Sequence, residues 1–231
     1  MKAVILCGGK GGRIRGEEAV SLPKPLVPIG GRAMIHRVMD HYHRHGVAEF
    51  VLALGHRGDE IASAPGYNPD WSVHFEDTGP PDEVGKAGRL LRLAHLLREP
   101  FFLGYCDDLS DVDLLGLAVL REHCGALVAM TAARARLPFG VAGMVGARVT
   151  SFEEKPLGPW ANVGSYCVHP QLLSRIDGDA ADLEADVLPG LVREGRVCAM
   201  RHAGLWLQVN TPIELARANE LHAAGRLALT A

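Results

Sequence analysis

Apolar positions over the first 135 residues recur in two alternating rhythms. Short apolar runs, "KAVIL" from Lys2, "EFVLALG" from Glu49, "FFLGYCDD" from Phe101 and "ALVAMTAA" from Ala126, read as buried strands. Between them lie stretches of helical period. In "AMIHRVMDHYHRHG", Ile35, Val38, Met39 and Tyr42 fall on one helical face, and Gly46 stops the run. "AGRLLRLAHLL" from Ala87 and "DVDLLGLAVLREHCG" from Asp111 are helical as well, the second capped by Ser110 or Asp111. Strands alternating with helices imply βαβ units around a mostly parallel sheet, an α/β fold.

After about residue 135 the rhythm changes. "VAGMVGARVTSFEEKP" reads as a β-hairpin and "VGSYCVH" as a further strand, while "DLEADVLPGLVREG" and "TPIELARANELHAAG" read as helices. The turn-rich stretches "APGYNPDW" and "DTGPPDEVG" read as loops at a sheet edge. The expectation is a single domain over 1–231. Its first part runs to about 135, and a smaller β-rich part with a C-terminal helix fills 136–231.

Composition narrows the picture. The 231 residues can enclose one full hydrophobic core, and 48% apolar with 22% charged residues is the balance of a globular protein. A net charge of −3 supplies no positive field for nucleic acid or an anionic membrane, so neither is expected as a partner. The five cysteines, Cys7, Cys106, Cys124, Cys167 and Cys198, are scattered and odd in number, which fits reduced thiols in a cytoplasm. "MKAVILC" is too short an apolar run for a signal segment, and no window reaches the roughly 18 apolar residues of a membrane span. A soluble, cytoplasmic protein is expected.

The chemistry is concentrated in "LCGGKGGRIRGEEAVSLPKP", directly after the first strand. Glycines at this density let backbone N–H groups approach a ligand, and the flanking cations point to an anion. The dinucleotide fingerprint fails, because Ile14 stands where a third glycine belongs after Gly9 and Gly11. A P-loop fails too: Gly85–Lys86 is followed by Ala87, and Gly79 is one residue too distant. What remains is a glycine loop with Arg13 and Arg15, then Lys24 held between Pro23 and Pro25. Such a set suits a triphosphate. The acids Asp107 and Asp108 end a strand, where ligands of open α/β sheets bind. His41, His43 and His45 read as a solvated helix face rather than a zinc site.

With "GEEAVSLPKPLVPIGG", "EFVLALGHRG", "EDTG", "AGRL", "YCDDLSDVD", "FEEKP", "ANVGSYCV", "IDGD" and "RHAGLWLQVNT" in order, the chain resembles the sugar-1-phosphate nucleotidyltransferases over about residues 3–222. Within them it is most similar to the cytidylyl branch that acts on glucose-1-phosphate. The resemblance implies a Rossmann-like three-layer fold with a nucleotide-binding part to about 135 and a sugar-binding part beyond. It implies attack of a sugar-1-phosphate, a hexose such as glucose-1-phosphate, on the α-phosphorus of an NTP, CTP before others, with Mg²⁺ as cofactor. Guanylyl, thymidylyl or uridylyl transfer to another hexose or heptose phosphate is the alternative. A catalytically weak nucleotide-sugar sensor on the same fold is a more distant one, and the resemblance allows a homo-oligomer.

Carried over residue by residue, the resemblance assigns catalysis to Arg13, Lys24 and Asp107. Nucleotide binding falls to Leu6, Gly8, Gly9, Gly11, Gly12, Arg13, Lys24, Gly88, Arg89, Cys106 and Asp107. Sugar binding falls to Glu154, Lys155, Asn162, Gly164 and Glu184, and metal binding to Asp107 and Asn210. The chain departs from the family's pattern at Gly12, where Thr or Ser is usual. Cys106 and Asp108 replace the glycines around Asp107, and Asn210 replaces an aspartate.

Overall fold

The structure, a computed structural model, describes residues 1–11 and 22–227. In chain order the strands and helices are β1 (Ala3–Leu6), β2 (Pro28–Ile29), β3 (Arg32–Ala33), α1 (Met34–Arg44), β4 (Glu49–Leu54), α2 (Gly58–Ala62) and β5 (Ser72–Asp77). Next come α3 (Lys86–Arg92), β6 (Phe101–Tyr105), β7 (Asp108–Ser110), α4 (Leu114–His123), β8 (Val128–Ala133), β9 (Val141–Val145) and β10 (Arg148–Glu153). The chain continues with β11 (Ala161–Val168), α5 (Leu188–Arg193), β12 (Val197–His202), β13 (Trp206–Gln208) and α6 (Pro212–Ala223).

Seven strands form the central sheet in the order β12-β8-β11-β6-β1-β4-β5. All neighbours are parallel except β11, which runs antiparallel to both β6 and β8. Strands from before and after residue 135 therefore share one sheet. β1 lies between β6 and β4, so the chain leaves it toward both sides, and a crevice opens at its carboxyl end.

Side chains alternate across the sheet and separate two apolar layers. Ile5, Phe50 and Leu52 face α1, α4 and α6, while Val4, Leu6, Val51 and Ala53 face α3 and α5. The strands are apolar on both faces because helices cover both, which makes the α/β fold three layers deep. Among the described residues no helix is long and apolar enough to cross a membrane.

Several local readings of the sequence are revised. Asp113 caps α4 by accepting from the Gly116 N–H at 2.9 Å, whereas Ser110 is committed to β7. β5 was hidden between the two loops because it is an edge strand with polar His74 and Glu76 in it. His41 is no solvated residue: it is 4% exposed, and burial pushes its imidazole down to about 3. His43 and His45 stay partly exposed. The run at Leu183–Val187 forms one wide π-turn ahead of α5, in which the Leu188 N–H bonds the Leu183 carbonyl. Pro189 lacks the N–H that a regular α-turn would use there.

Candidate active site

At the crevice beyond β1 the structure forms a cavity of about 550 Å³. Its first wall is the glycine segment. Leu6 through Gly11 line it, and Gly11 has φ +61°, a conformation that favours glycine. A Cβ on Gly8 would overlap the Arg89 guanidinium, so the missing side chain is what lets Arg89 pass beneath the loop. Lys10 reaches across the mouth to Asp82 at 2.6 Å.

Arg89 is 4% exposed, not on an open helix face. It donates to the Leu54 carbonyl (2.8 Å), Thr78 Oγ1 (2.6 Å) and the Gly79 carbonyl (3.1 Å), with a longer contact to the Gly8 carbonyl at 3.4 Å. Burial lowers its pKa, and Asp77 opposes the shift. Gly88 does not line the cavity. It lets α3 pack on the backbone of Asp179, which a Cβ there would strike.

On the floor, Lys24 sits in a short 3₁₀ turn whose φ angles Pro23 and Pro25 constrain. Its ammonium donates to Asp107 Oδ2 and, at 2.7 Å, to Asn210 Oδ1. Asp107 follows the end of β6, and its carbonyl accepts from the Val209 N–H at 2.9 Å. Asn210 is fixed by the start of α6: Glu214 Oε2 accepts from the Asn210 and Thr211 N–H groups at 2.7 and 2.8 Å, and Thr211 completes a capping box. One carboxylate oxygen and one amide oxygen thus converge on a single cation.

The opposite wall belongs to β11 and the π-turn. Glu184 accepts from Tyr105 and, at 3.0 Å, from Tyr166, and pairs with Lys86 at 2.5 Å. Lys86 also meets Asp182 at 3.2 Å and lies 5.8 Å from the Tyr105 ring centroid. Burial works against the Lys86 charge, but Glu184 and Asp182 more than offset it, and its pKa rises. Asn162 donates to Tyr166 and accepts from the Gly164 N–H at 3.0 Å. Beside them Asp108 is 7% exposed, and its pKa is pushed up to about 8 by burial and by Asp107, with Lys24 pulling the other way.

Leu6, Gly8, Gly9, Gly11, Lys24, Arg89, Cys106, Asp107, Asn162, Gly164, Glu184 and Asn210, all singled out from the sequence, line this one cavity. Gly12, Arg13 and Arg15 lie outside the described residues. Glu154 and Lys155 are not brought to the cavity: both are exposed beyond the end of β10. Lys155 has φ +48°, and its carbonyl accepts from Arg136 at 3.2 Å. Among the described residues, sequence reasoning missed Lys10, Lys86, Tyr105, Asp182 and Gln208 as lining residues. Lys86 could have been found, since it immediately precedes the "AGRL" that drew attention to Arg89.

Among the described residues no group of three or more His, Cys, Asp and Glu side chains gathers to hold a metal. The Asp107–Asn210 pair nonetheless has the chemistry of a hard-cation site. Both donors are oxygen, one is charged, and both already meet one positive charge.

Residues 2–224 match the family model described as "Nucleotidyl transferase". The chain is 31% identical to the glucose-1-phosphate cytidylyltransferase of Salmonella typhi, with 91% of each chain covered. It is also 31% identical to the mannose-1-phosphate guanyltransferase of Emericella nidulans, over 92% of this chain and 61% of that one. Among solved structures, HddC from Yersinia pseudotuberculosis superposes with a TM-score of 0.73 at 20% identity, covering 96% of this chain and 99% of that one, a likeness of fold.

Proposed function

The chain belongs to the nucleotidyl transferase family, and from that premise we propose that it transfers a cytidylyl group from CTP to a hexose-1-phosphate such as glucose-1-phosphate, releasing pyrophosphate. The observation that carries this reading is the Lys24 ammonium, set between Asp107 and Asn210 on the floor of a cavity that begins at a glycine loop. Two anions must meet there, and they repel until a cation lies between them. Lys24 supplies that cation. The oxygen of the sugar phosphate forms its bond to the α-phosphorus while the bond to the β-phosphate oxygen breaks. The attacking oxygen is already anionic, so no general base is required and catalysis is positioning plus charge neutralisation.

The N–H groups of Gly8, Gly9 and Gly11 receive phosphate oxygens, and Arg89 holds that loop against β4 and the turn at Gly79. Arg13 neutralises the leaving pyrophosphate. Asn162, Gly164 and Glu184, with Lys86 beside them, face the sugar. A divalent cation, Mg²⁺ by the hardness of its donors, would be held by Asp107 and Asn210 and would supply charge neutralisation at the α-phosphate.

The relationship to a glucose-1-phosphate cytidylyltransferase supports CTP. The guanyltransferase relative supports a second reading, GTP with mannose-1-phosphate. A matrix of NTPs against sugar-1-phosphates, read by pyrophosphate release, separates them. CTP with glucose-1-phosphate is expected to give the highest kcat/KM. Another NTP exceeding it by more than about tenfold, a gap of about 1.4 kcal/mol, overturns the cytidylyl assignment.

A further inference from the structure

The β9–β10 hairpin stands apart from the central sheet, and among the described residues no third strand joins it. All six residues of β10 are exposed, and the strand carries neither Lys nor Pro to blunt its free edge. Val149 and Phe152 on β10 and Met144 on β9 are 57%, 67% and 60% exposed. A hairpin of two strands is marginal by itself, and a further strand is what such a piece lacks.

The order of residues along β10 selects the strand that fits. Arg148, Val149, Thr150, Ser151, Phe152 and Glu153 run cation, β-branched, hydroxyl, hydroxyl, aromatic, anion. We propose that β10 is the contact of a two-fold dimer, pairing antiparallel with β10 of a second copy and joining the two hairpins into one four-stranded sheet. With the axis between Thr150 and Ser151, Arg148 lies against the partner's Glu153 and Val149 against the partner's Phe152. Thr150 then meets the partner's Ser151. Opposite charges, an aromatic beside a β-branched side chain and paired hydroxyls are the cross-strand pairs that stabilise sheets, and the axis forms each of them twice. A slip by one residue sets Arg148 against the partner's Phe152, and an in-register parallel arrangement sets like charges together, so one register is specified.

Directly opposed residues share a face of a sheet, whereas residues three apart on a regular strand stand on opposite faces. β10 is not regular: its register against β9 shifts between Val149 and Ser151, as at a bulge. Val149 pairs with Met144 and Phe152 with Ala142, two residues apart on β9, so Val149 and Phe152 share one face. Arg148 pairs with Val145 and Glu153 with Val141, four apart, so the two charges share the other. The bulge is therefore what makes β10 complementary to its own copy. Ser151 Oγ and Thr150 Oγ1 both lie within 3.4 Å of where a Gly143 Cβ would stand, so the bare glycine gives the bulge room. β9 offers no such match, since Val141–Val145 holds no charge to set direction and register. None of the residues lining the cavity belongs to the hairpin, so the pairing leaves the cavity open.

Sedimentation velocity over a range of chain concentrations measures the dimer dissociation constant of wild type, Arg148→Glu, Glu153→Arg and the double variant. Wild type is expected to dimerise at micromolar concentration. Each single reversal sets like charges opposite each other at both ends of the contact and should raise the dissociation constant by about tenfold or more. The double variant restores opposite charges with their polarity reversed and should return to within about threefold of wild type. Val149→Lys puts a charge on the paired edge and should be monomeric wherever wild type is a dimer. All these side chains are exposed, so far-UV circular dichroism should be unchanged, and Val149→Lys carries the comparison should a reversal not fold. A wild type that stays monomeric up to about 100 µM overturns the proposal. So does a dimer indifferent to both reversals and to Val149→Lys, whose contact would lie elsewhere. A loss in the single variants that the double one does not recover overturns the register, and the proposal with it.

Discussion

The floor of the cavity and the β9–β10 hairpin both hold residues with the right chemistry for an anionic sugar, yet they are built in opposite ways. On the floor and in the walls around it the polar groups are paired: Lys24 with Asp107 and Asn210, Arg89 with three oxygens at 3.1 Å or less, Glu184 with two tyrosines and Lys86. Among the described residues the hairpin pairs only with itself, in a two-stranded sheet, and it leaves Glu154 and Lys155 exposed. Val145 and Phe152 on it are 72% and 67% exposed. Two strands alone are marginally stable, whereas the floor inherits its rigidity from the central sheet. The difference teaches that preorganisation resides on the floor, where the donors hold their places through mutual pairing before any substrate arrives.

The largest effect expected from breaking that pairing is at Lys24. Lys24→Ala should lower kcat by roughly 10²–10³, the scale of one lost preorganised charge. Asp107→Asn, which removes the one charged oxygen that meets Lys24 among the described residues, should nearly abolish turnover. Pyrophosphate release under saturating substrates measures both. A Lys24→Ala enzyme keeping more than about a third of wild-type kcat would show that the floor is structural and not catalytic.

A smaller effect on rate, but a clear one on stability, is expected at Arg89. Arg89→Ala empties a buried position and takes a donor from the part-buried Gly79 carbonyl, while the Leu54 carbonyl keeps the Thr78 N–H and hydroxyl, so it should cost about 1–3 kcal/mol in denaturant unfolding. The KM for the NTP should rise with it, since the glycine loop loses its support. Destabilisation below about 1 kcal/mol together with a raised NTP KM would mean that Arg89 meets the nucleotide directly, not through the loop.

The two regions also differ in how far they could be read from sequence. The strands with continuous apolar runs and α1 with its apolar face are fixed by local periodicity, and the strands carry Leu6 and Asp107 to one crevice. The pairing of Lys24 with Asn210 joins residues 186 apart, which no local pattern encodes. β7 and β13 were missed for the same reason: each has three residues and exists only through the other. Arg89 was assigned to the nucleotide by motif, and a helix of seven residues shows too little periodicity to announce its buried partners Leu54, Thr78 and Gly79 on other elements. His41 was misjudged by its neighbours, since three histidines at alternate positions cannot all share one face of a helix. Glu154 and Lys155 were placed by motif alone, and a motif says nothing about where a hairpin stands relative to the sheet.

The smallest effect is therefore expected at Lys155, and it tests the comparison from the other side. Its side chain is exposed, and its carbonyl, not its ammonium, makes the bond to Arg136. Lys155→Ala removes no buried contact, so unfolding free energy should change by less than about 0.5 kcal/mol. The backbone strain of φ +48° is borne equally by Ala, which leaves stability insensitive to the exchange. If the cavity floor alone meets the sugar phosphate, KM for the sugar-1-phosphate and KM for the NTP should each move by less than about twofold. Steady-state kinetics with each substrate varied in turn gives both numbers. A rise of about tenfold confined to the sugar-1-phosphate would instead mean that the hairpin meets the sugar phosphate during turnover, and the contrast between the two regions would then hold only before substrate binds.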